Sequence, residues 1–311
     1  MKILVTGGCG FIGSNFIIHT LRKYPGDSII NLDKLTYAGN PVNLAEINGN
    51  PNYSFVRGDI CDRKLVPKVM DSCDAVVNFA AESHVDRSIT GPEPFLQTNF
   101  LGVGVILEAC RQLKIPRFIQ ISTDECYGSI AQDSADEQAP LRPSSPYSAS
   151  KAAADLLCLA YHTTYHLPVL ITRSTNNYGP RQYPEKLIPL FFSLAFSGKP
   201  VPLYGNGENQ RDWLFVEDNC RAIDLVLRQG KEGLVYNIGS GNNLTNTEVA
   251  KSILALLDAP LSLIQPVTDR LGHDWRYAVN WDRIKALGWQ PGVNFKEGLK
   301  ATIDWYRTHP K

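Results

Sequence analysis

The stretch Thr6-Gly7-Gly8-Cys9-Gly10-Phe11-Ile12-Gly13 limits what this chain can fold into more than any other. Lys2–Thr6 before it is apolar and partly β-branched, which reads as a strand, and Phe11–Lys23 after it carries apolar residues at helical spacing. Glycines at 7, 10 and 13 fill the turn between them. Such a turn lets backbone N–H groups approach an anion at the positive end of a helix, and its last glycine lets helix and strand pack closely. Three glycines alone mark only a tight turn. Here the next strand, Ser28–Asp33, closes on an acid twenty residues past Gly13. That is the place from which a carboxylate meets the ribose hydroxyls of a dinucleotide. Asp33 favours NAD, because its charge repels the extra phosphate of NADP, while Lys34 beside it pulls the other way. Asp59 and Ile60, after the third strand, are expected to flank the adenine.

Strands and helices go on alternating. Tyr53–Arg57, Ala75–Phe79, Arg117–Thr123 and Val169–Arg173 read as strands, and Pro94–Lys114 and Ser145–His166 as long helices. This alternation predicts an α/β fold, a Rossmann-type doubly wound parallel sheet with helices on both faces. Beyond Thr175 the texture changes, with Pro180, Pro184, Pro189, Pro200 and Pro202 close together among glycines, which marks turns and short elements. The expected organisation is a dinucleotide-binding domain over 1–174 and a smaller, loop-rich C-terminal substrate lobe over 175–311. Residues 216–238, a helix and a strand, are expected to return to the first domain. Thr245–Leu257, Asp282–Leu287 and Phe295–Thr308 read as short helices.

Composition excludes several function classes. Lys+Arg and Asp+Glu both number 31, and there is no basic run, so nucleic acid is not an expected partner. No stretch approaches the roughly 20 apolar residues of a membrane span. Gly7 and Gly8 break the opening apolar run too early for a signal peptide, and a cytoplasmic protein is expected. The seven cysteines show no metal-ligand spacing, so no metal site is expected and the thiols read as buried and reduced. Cys126 stands beside acids, which disfavour a nucleophilic thiolate.

Two further constellations carry chemistry. Pro146 suits the first turn of a helix, and Tyr147 and Lys151, four apart, then share one face. A tyrosine, with a reference pKa of about 10, is a weak base unless a neighbouring cation favours its phenolate. Of thirteen tyrosines only Tyr147 has a lysine four residues on. A surface i,i+4 pair is the ordinary reading of such spacing, and the glycine turn argues against it here. Thr123, Asp124 and Glu125 end a predicted strand, at the edge where parallel sheets bind ligands. Thr123 is placed to hydrogen-bond a hydroxyl undergoing oxidation beside Tyr147. Hydride transfer alone needs no acid, so paired carboxyls point to a second proton-transfer step. A capping turn is the alternative for them.

At these residues the chain resembles the dTDP-glucose 4,6-dehydratases, a family of extended short-chain dehydrogenases/reductases. The resemblance also rests on the run Asn78 to Ser88, on Asn176-Asn177-Tyr178-Gly179-Pro180, on Pro184 to Pro189 and on Arg211-Asp212-Trp213. It implies that Tyr147 takes a proton from the 4-hydroxyl as hydride leaves carbon 4. Glu125 then takes the carbon-5 proton, Asp124 protonates the hydroxyl leaving carbon 6, and hydride returns to carbon 6. It implies NAD contacts at Gly7, Gly10, Phe11, Ile12, Gly13, Asp33, Lys34, Leu35, Thr36, Asp59, Ile60, Phe79, Ala80, Ala81, Ser83, Thr98, Tyr147, Lys151 and Asn177. Contacts to a nucleotide sugar, dTDP-glucose, are implied at Ser83, Thr123, Asn176, Lys186, Leu187, Pro202, Leu203, Tyr204, Arg211, Asn246, Arg270 and His273. Lys186, Arg211 and Arg270 suit a diphosphate. A homodimer through a four-helix interface is implied, using Pro94–Lys114 and Ser145–His166. Leu271 and Trp275 replace the family's usual Pro and Arg near the nucleotide, which leaves thymine against uracil open. A UDP-sugar dehydratase, epimerase or decarboxylase and a non-catalytic NAD sensor are the competing readings.

Overall fold

The computed structural model of the protein describes residues 1–269 and 271–309. Its strands are β1 (Lys2–Thr6), β2 (Ser28–Asp33), β3 (Tyr53–Arg57), β4 (Ala75–Asn78), β5 (Phe118–Thr123), β6 (Val169–Ser174), β7 (Asn176–Tyr178), β8 (Val201–Tyr204), β9 (Gln210–Phe215), β10 (Val235–Ile238), β11 (Asn243–Thr245) and β12 (Ile264–Val267). Seven of them form one sheet in the order β10-β6-β5-β4-β1-β2-β3. Every pairing in it is parallel. Strands β4, β5 and β6 are buried along their whole length, and β1 from its second residue, which explains their near-continuous apolar sequences. The order reverses between β1 and β4, and at such a switch point the carboxyl ends of the strands leave a crevice.

Helices cover both faces. Phe16 and Ile17 of helix Phe11–Lys23 pack with Val216, Ile223 and Val226 of helix Val216–Gln229 on one side. Ile106, Leu107 and Cys110 pack with Ala154 and Cys158 of helix Pro146–Tyr165 on the other. The second lobe has its own core, in which Phe191, Trp213, Phe215, Ile253 and Leu299 surround the fully buried Tyr178. Two small sheets, β11-β9-β7 and β12-β8, frame it.

The expected long helix over 94–114 is present over 93–113, with a change of helix type inside it. Leu96–Gly102 is π-helical, between Glu93–Phe95 and Val103–Leu113. Gly102 sits so tightly on Ile60 that a Cβ there would come within 2.6 Å of the Ile60 side chain. The Asn99 side chain accepts from Glu82 N–H at 2.8 Å and donates to Glu82 C=O at 3.0 Å and to Ser150 Oγ at 2.9 Å. The widened turn therefore carries side-chain ties that bind the 82 loop to the helix of Tyr147. Strand β4 ends at Asn78 instead of Phe79, where the chain turns over Gly7.

Candidate active site

Gly7 takes a left-handed φ of 68°, which side chains avoid, and a Cβ on it would lie 2.6 Å from Ala80 N. Gly13 is as constrained, with Gly7 O 2.5 Å from where its Cβ would stand. Both glycines line a cleft of about 1230 Å³, its mouth included, above the carboxyl ends of β1 and β4.

Most of the predicted cofactor residues stand on the wall of that cleft. Gly7, Gly10, Phe11, Ile12, Gly13, Asp33, Lys34, Thr36, Asp59, Ile60, Phe79, Ala80, Ala81, Ser83, Thr98, Tyr147 and Lys151 all line it. Leu35 and Asn177 do not. The Leu35 N–H donates to Asp33 Oδ1 at 2.8 Å, and Asn177 donates to Ser174 Oγ and the Thr175 carbonyl. Asp33 also accepts from Cys9 N–H at 2.9 Å, and burial pushes its carboxyl up from the usual range. Lys34 is held by Asp59 at 2.7 Å, so its charge is already matched. Sequence reasoning missed Glu82, Gln182 and Tyr183, which also line the cleft. Glu82 lies inside the quoted run from Asn78 to Ser88, but Gln182 and Tyr183 arrive from the second lobe with no local signal.

The helix of Tyr147 and Lys151 begins at Ser145, whose side chain caps Ser148 N–H while Ser148 caps Ser145 in return. This capping box fixes Tyr147 in the first turn. Lys151 Nζ donates to the Ile121 carbonyl at the end of β5, and both Tyr147 and Lys151 are buried. Burial, then Glu125, push the Tyr147 phenol well above its ordinary value, while the Thr123 hydroxyl favours the phenolate. Burial pushes the Lys151 ammonium down, against the pull of Asp155. Burial thus favours the protonated form of Tyr147 in the protein without its ligands.

Thr123 caps a short 3₁₀ turn, Asp124–Tyr127, through a 3.3 Å bond from Glu125 N–H. Its hydroxyl donates to Asp124 Oδ1 at 3.2 Å, and the other Asp124 oxygen is buried with no hydrogen-bond partner. Burial and the neighbouring Glu125 raise the Asp124 carboxyl well above the usual range. Enclosure thus favours the protonated form of the Asp124 carboxyl, beside the buried Tyr147.

The implied sugar-nucleotide residues lie in and around the second lobe. Lys186 Nζ reaches Ser83 C=O at 2.7 Å, and both residues line the cleft. Arg211 is buried, donates to the Asp274 carbonyl at 2.9 Å, and stacks 4.3 Å over the Tyr277 ring. Asn246 N–H bonds Asn209 C=O, and Asn209 Nδ2 bonds the Asp274 carbonyl, which links Asn246 to Arg211. His273 pairs with Asp269 at 2.6 Å and meets Tyr204 edge-on. Pro202 and Leu203 precede Tyr204 in β8, Asn176 opens β7, and Leu187 opens helix Leu187–Phe196. Arg270 lies outside the described residues. Among the described residues no His, Cys, Asp or Glu group is arranged to hold a metal ion.

The family model for GDP-mannose 4,6 dehydratase matches residues 4–302. A dTDP-glucose 4,6-dehydratase of Streptomyces niveus is 54% identical over 312 residues, covering 99% of this chain and 93% of its own. The low-salt glycan biosynthesis protein Agl12 of Haloferax volcanii is 53% identical over 306 residues, covering 98% of both. The crystal structure of DesIV, a dTDP-glucose 4,6-dehydratase from Streptomyces venezuelae with NAD and TYD bound, superposes with a TM-score of 0.97 at 49% identity. It covers 99% of this chain and 97% of its own.

Proposed function

The chain belongs to the GDP-mannose 4,6-dehydratase family, and on that premise we propose that it is a NAD-dependent hydro-lyase converting dTDP-glucose to dTDP-4-keto-6-deoxyglucose. The observation that carries this reading is Asp124, a buried and raised carboxyl directly beside Glu125 and near Tyr147. An epimerase or a plain dehydrogenase needs no such acid.

NAD fits the cleft through the glycine cradle and Asp33, and when bound it supplies a hydride acceptor whose positive ring favours the Tyr147 phenolate. Tyr147 takes the proton of the 4-hydroxyl, and Thr123 holds the same oxygen. Lys151 positions the nicotinamide ribose. With carbon 4 now a ketone, the carbon-5 proton is acidic and Glu125 removes it. Asp124 gives its proton to the hydroxyl on carbon 6, and water leaves. Glu125 returns its proton to carbon 5 at the end, and the proton Tyr147 gained balances the one Asp124 gave. Lys186 and Arg211, with Arg270, serve the diphosphate.

The proposal divides the work between residues 1–174 with 216–238, which hold NAD, and 175–311, which hold the sugar nucleotide. It includes a homodimer through helices Val103–Leu113 and Pro146–Tyr165, supported by the exposed Leu101 beside the first and Leu156 on the second. It places the protein in the cytoplasm: the seven cysteines are unpaired, as suits a reducing compartment, and no described helix is long and apolar enough to cross a membrane. Incubation with dTDP-glucose and UDP-glucose separately, followed by mass analysis, tests the reading. Loss of one water from dTDP-glucose is expected. An unchanged mass for dTDP-glucose would overturn it, as would tighter binding of NADP than NAD.

A further inference from the structure

Three loops far apart in sequence meet at the mouth of the dinucleotide cleft. One follows β2, one follows β4 and one follows β7. Each also supplies part of the cleft wall, through Thr36 and Gly39, Glu82 and Ser83, and Tyr183 and Lys186 respectively. The side chains that join the loops are not among those assigned to NAD or sugar above. Arg87 donates to Glu185 at 2.8 Å and lays its guanidinium 4.0 Å from the centre of the Tyr37 ring. Tyr37 in turn meets Tyr183 edge-on, with centroids 5.4 Å apart. His84 stands 3.8 Å from the same Glu185 carboxylate.

We propose that Arg87, Glu185 and Tyr37 are positioning residues that clasp the cleft shut and slow the exchange of NAD. The third loop is held in reach by a separate anchor. Arg181, at a left-handed φ of 72°, donates to the Asn43 carbonyl at 3.0 Å and to Asn15 Oδ1 at 2.9 Å. Asn15 donates back to the Pro180 carbonyl at 3.1 Å. The strap thus crosses from the second lobe to the helix that opens at the glycine turn, and the clasp fastens its far end. The Glu185 carboxylate is only 16% exposed although Arg87 is 51% exposed, so the pair forms an outer edge over a drier interior.

The inference rests on the dehydratase reading, because a hydride that leaves and returns within one turnover requires the reduced cofactor to stay. An enzyme that released NADH midway would strand itself with an oxidised sugar. A clasp of an ion pair, a cation–π contact and an aromatic pair would break before the dinucleotide could leave. Loss of any one should speed release by roughly several-fold to tenfold, the range of partly exposed contacts of these kinds.

The test uses the full chain carrying NAD, mixed with an excess of isotopically labelled NAD, with bound label followed by mass spectrometry. Glu185→Gln, Arg87→Met and Tyr37→Leu are expected to exchange up to about tenfold faster than the wild type, while their melting temperatures stay within about 3 °C of it. Salt should speed exchange more in the wild type than in Glu185→Gln, since the variant lacks the Arg87–Glu185 ion pair to be screened. Exchange at the wild-type rate in all three variants would overturn the clasp. Faster exchange only in proportion to a lowered melting temperature would mark the contacts as lobe bracing, and would overturn it too. The function is judged separately, by whether the wild type releases a dehydrated sugar nucleotide.

Discussion

Arg173 Nε, on β6, donates to Asp155 Oδ2, on helix Pro146–Tyr165, at 2.8 Å, with the two side chains 3% and 0% exposed. Asp155 lies one turn beyond Lys151 and also accepts from Ser122 Oγ at 2.9 Å, while Arg173 reaches the Tyr127 hydroxyl at 2.9 Å. The pair joins the helix of Tyr147 to β5 and β6. Removing one partner leaves a buried charge uncompensated. Arg173→Met is therefore expected to cost about 3–5 kcal/mol, read as a lowered urea midpoint. A loss under about 1 kcal/mol would show that Asp155 is neutral and the tie minor.

A second buried carboxylate gives a pH signature. Burial alone would push the Asp224 carboxyl up, but hydrogen bonds from Lys23, Arg228 and Tyr24, with His19 3.5 Å away, overcome it and hold the group below the usual range. Lys23 Nζ lies at 2.8 Å, Tyr24 Oη at 2.9 Å and Arg228 Nε at 2.7 Å. A depressed native pKa means stability that is fully present above the unfolded value of about 3.9 and is lost as pH falls through the native one. Asp224→Asn should therefore lower the urea midpoint at pH 7, and the gap to the wild type should narrow below about pH 4. A gap that stays constant down to pH 3 would contradict the sign of the shift.

Much of this arrangement could be read from the chain itself, because it depends on local pattern. The strand, glycine turn and helix of Lys2–Lys23 need no partner to be recognised, and Tyr147 and Lys151 share a face by spacing alone. What escaped was set by tertiary contact. The π-helical turn at Leu96–Gly102 is tied through Asn99 to Glu82 and to Ser150, up to 51 positions from Asn99. Tyr183 enters the cleft because Arg181 anchors its loop across the fold. The raised carboxyl of Asp124 comes from enclosure, which its neighbours in sequence do not reveal.

Tyr147→Phe removes the proton acceptor and keeps the ring, which packs edge-on to Phe95 at 6.3 Å. Loss of a general base costs about 100- to 10,000-fold in rate. Turnover of dTDP-glucose is expected to fall by that factor with the melting temperature unchanged. Near-normal turnover would remove Tyr147 from the reaction.

The acid pair separates dehydration from simple oxidation, because in the proposed mechanism its members act after Tyr147. In Glu125→Gln the amide keeps the shape but cannot take the carbon-5 proton. Oxidation at carbon 4 should still proceed, elimination should stall, and enzyme-bound NADH should build up under stopped-flow absorbance with saturating sugar nucleotide. Asp124→Asn should slow water loss as well, since the leaving hydroxyl then lacks the neutral carboxyl that burial provides. An amide at position 125 also changes the charge felt by the Tyr147 phenol, which Glu125 raises. The proper reference is therefore Tyr147→Phe, where no NADH should form at all. Full turnover in Glu125→Gln would reduce the pair to a capping turn and defeat the dehydratase reading. A block of NADH formation as complete as in Tyr147→Phe would place the acids in the oxidation step, and the proposed order of proton transfers would be wrong.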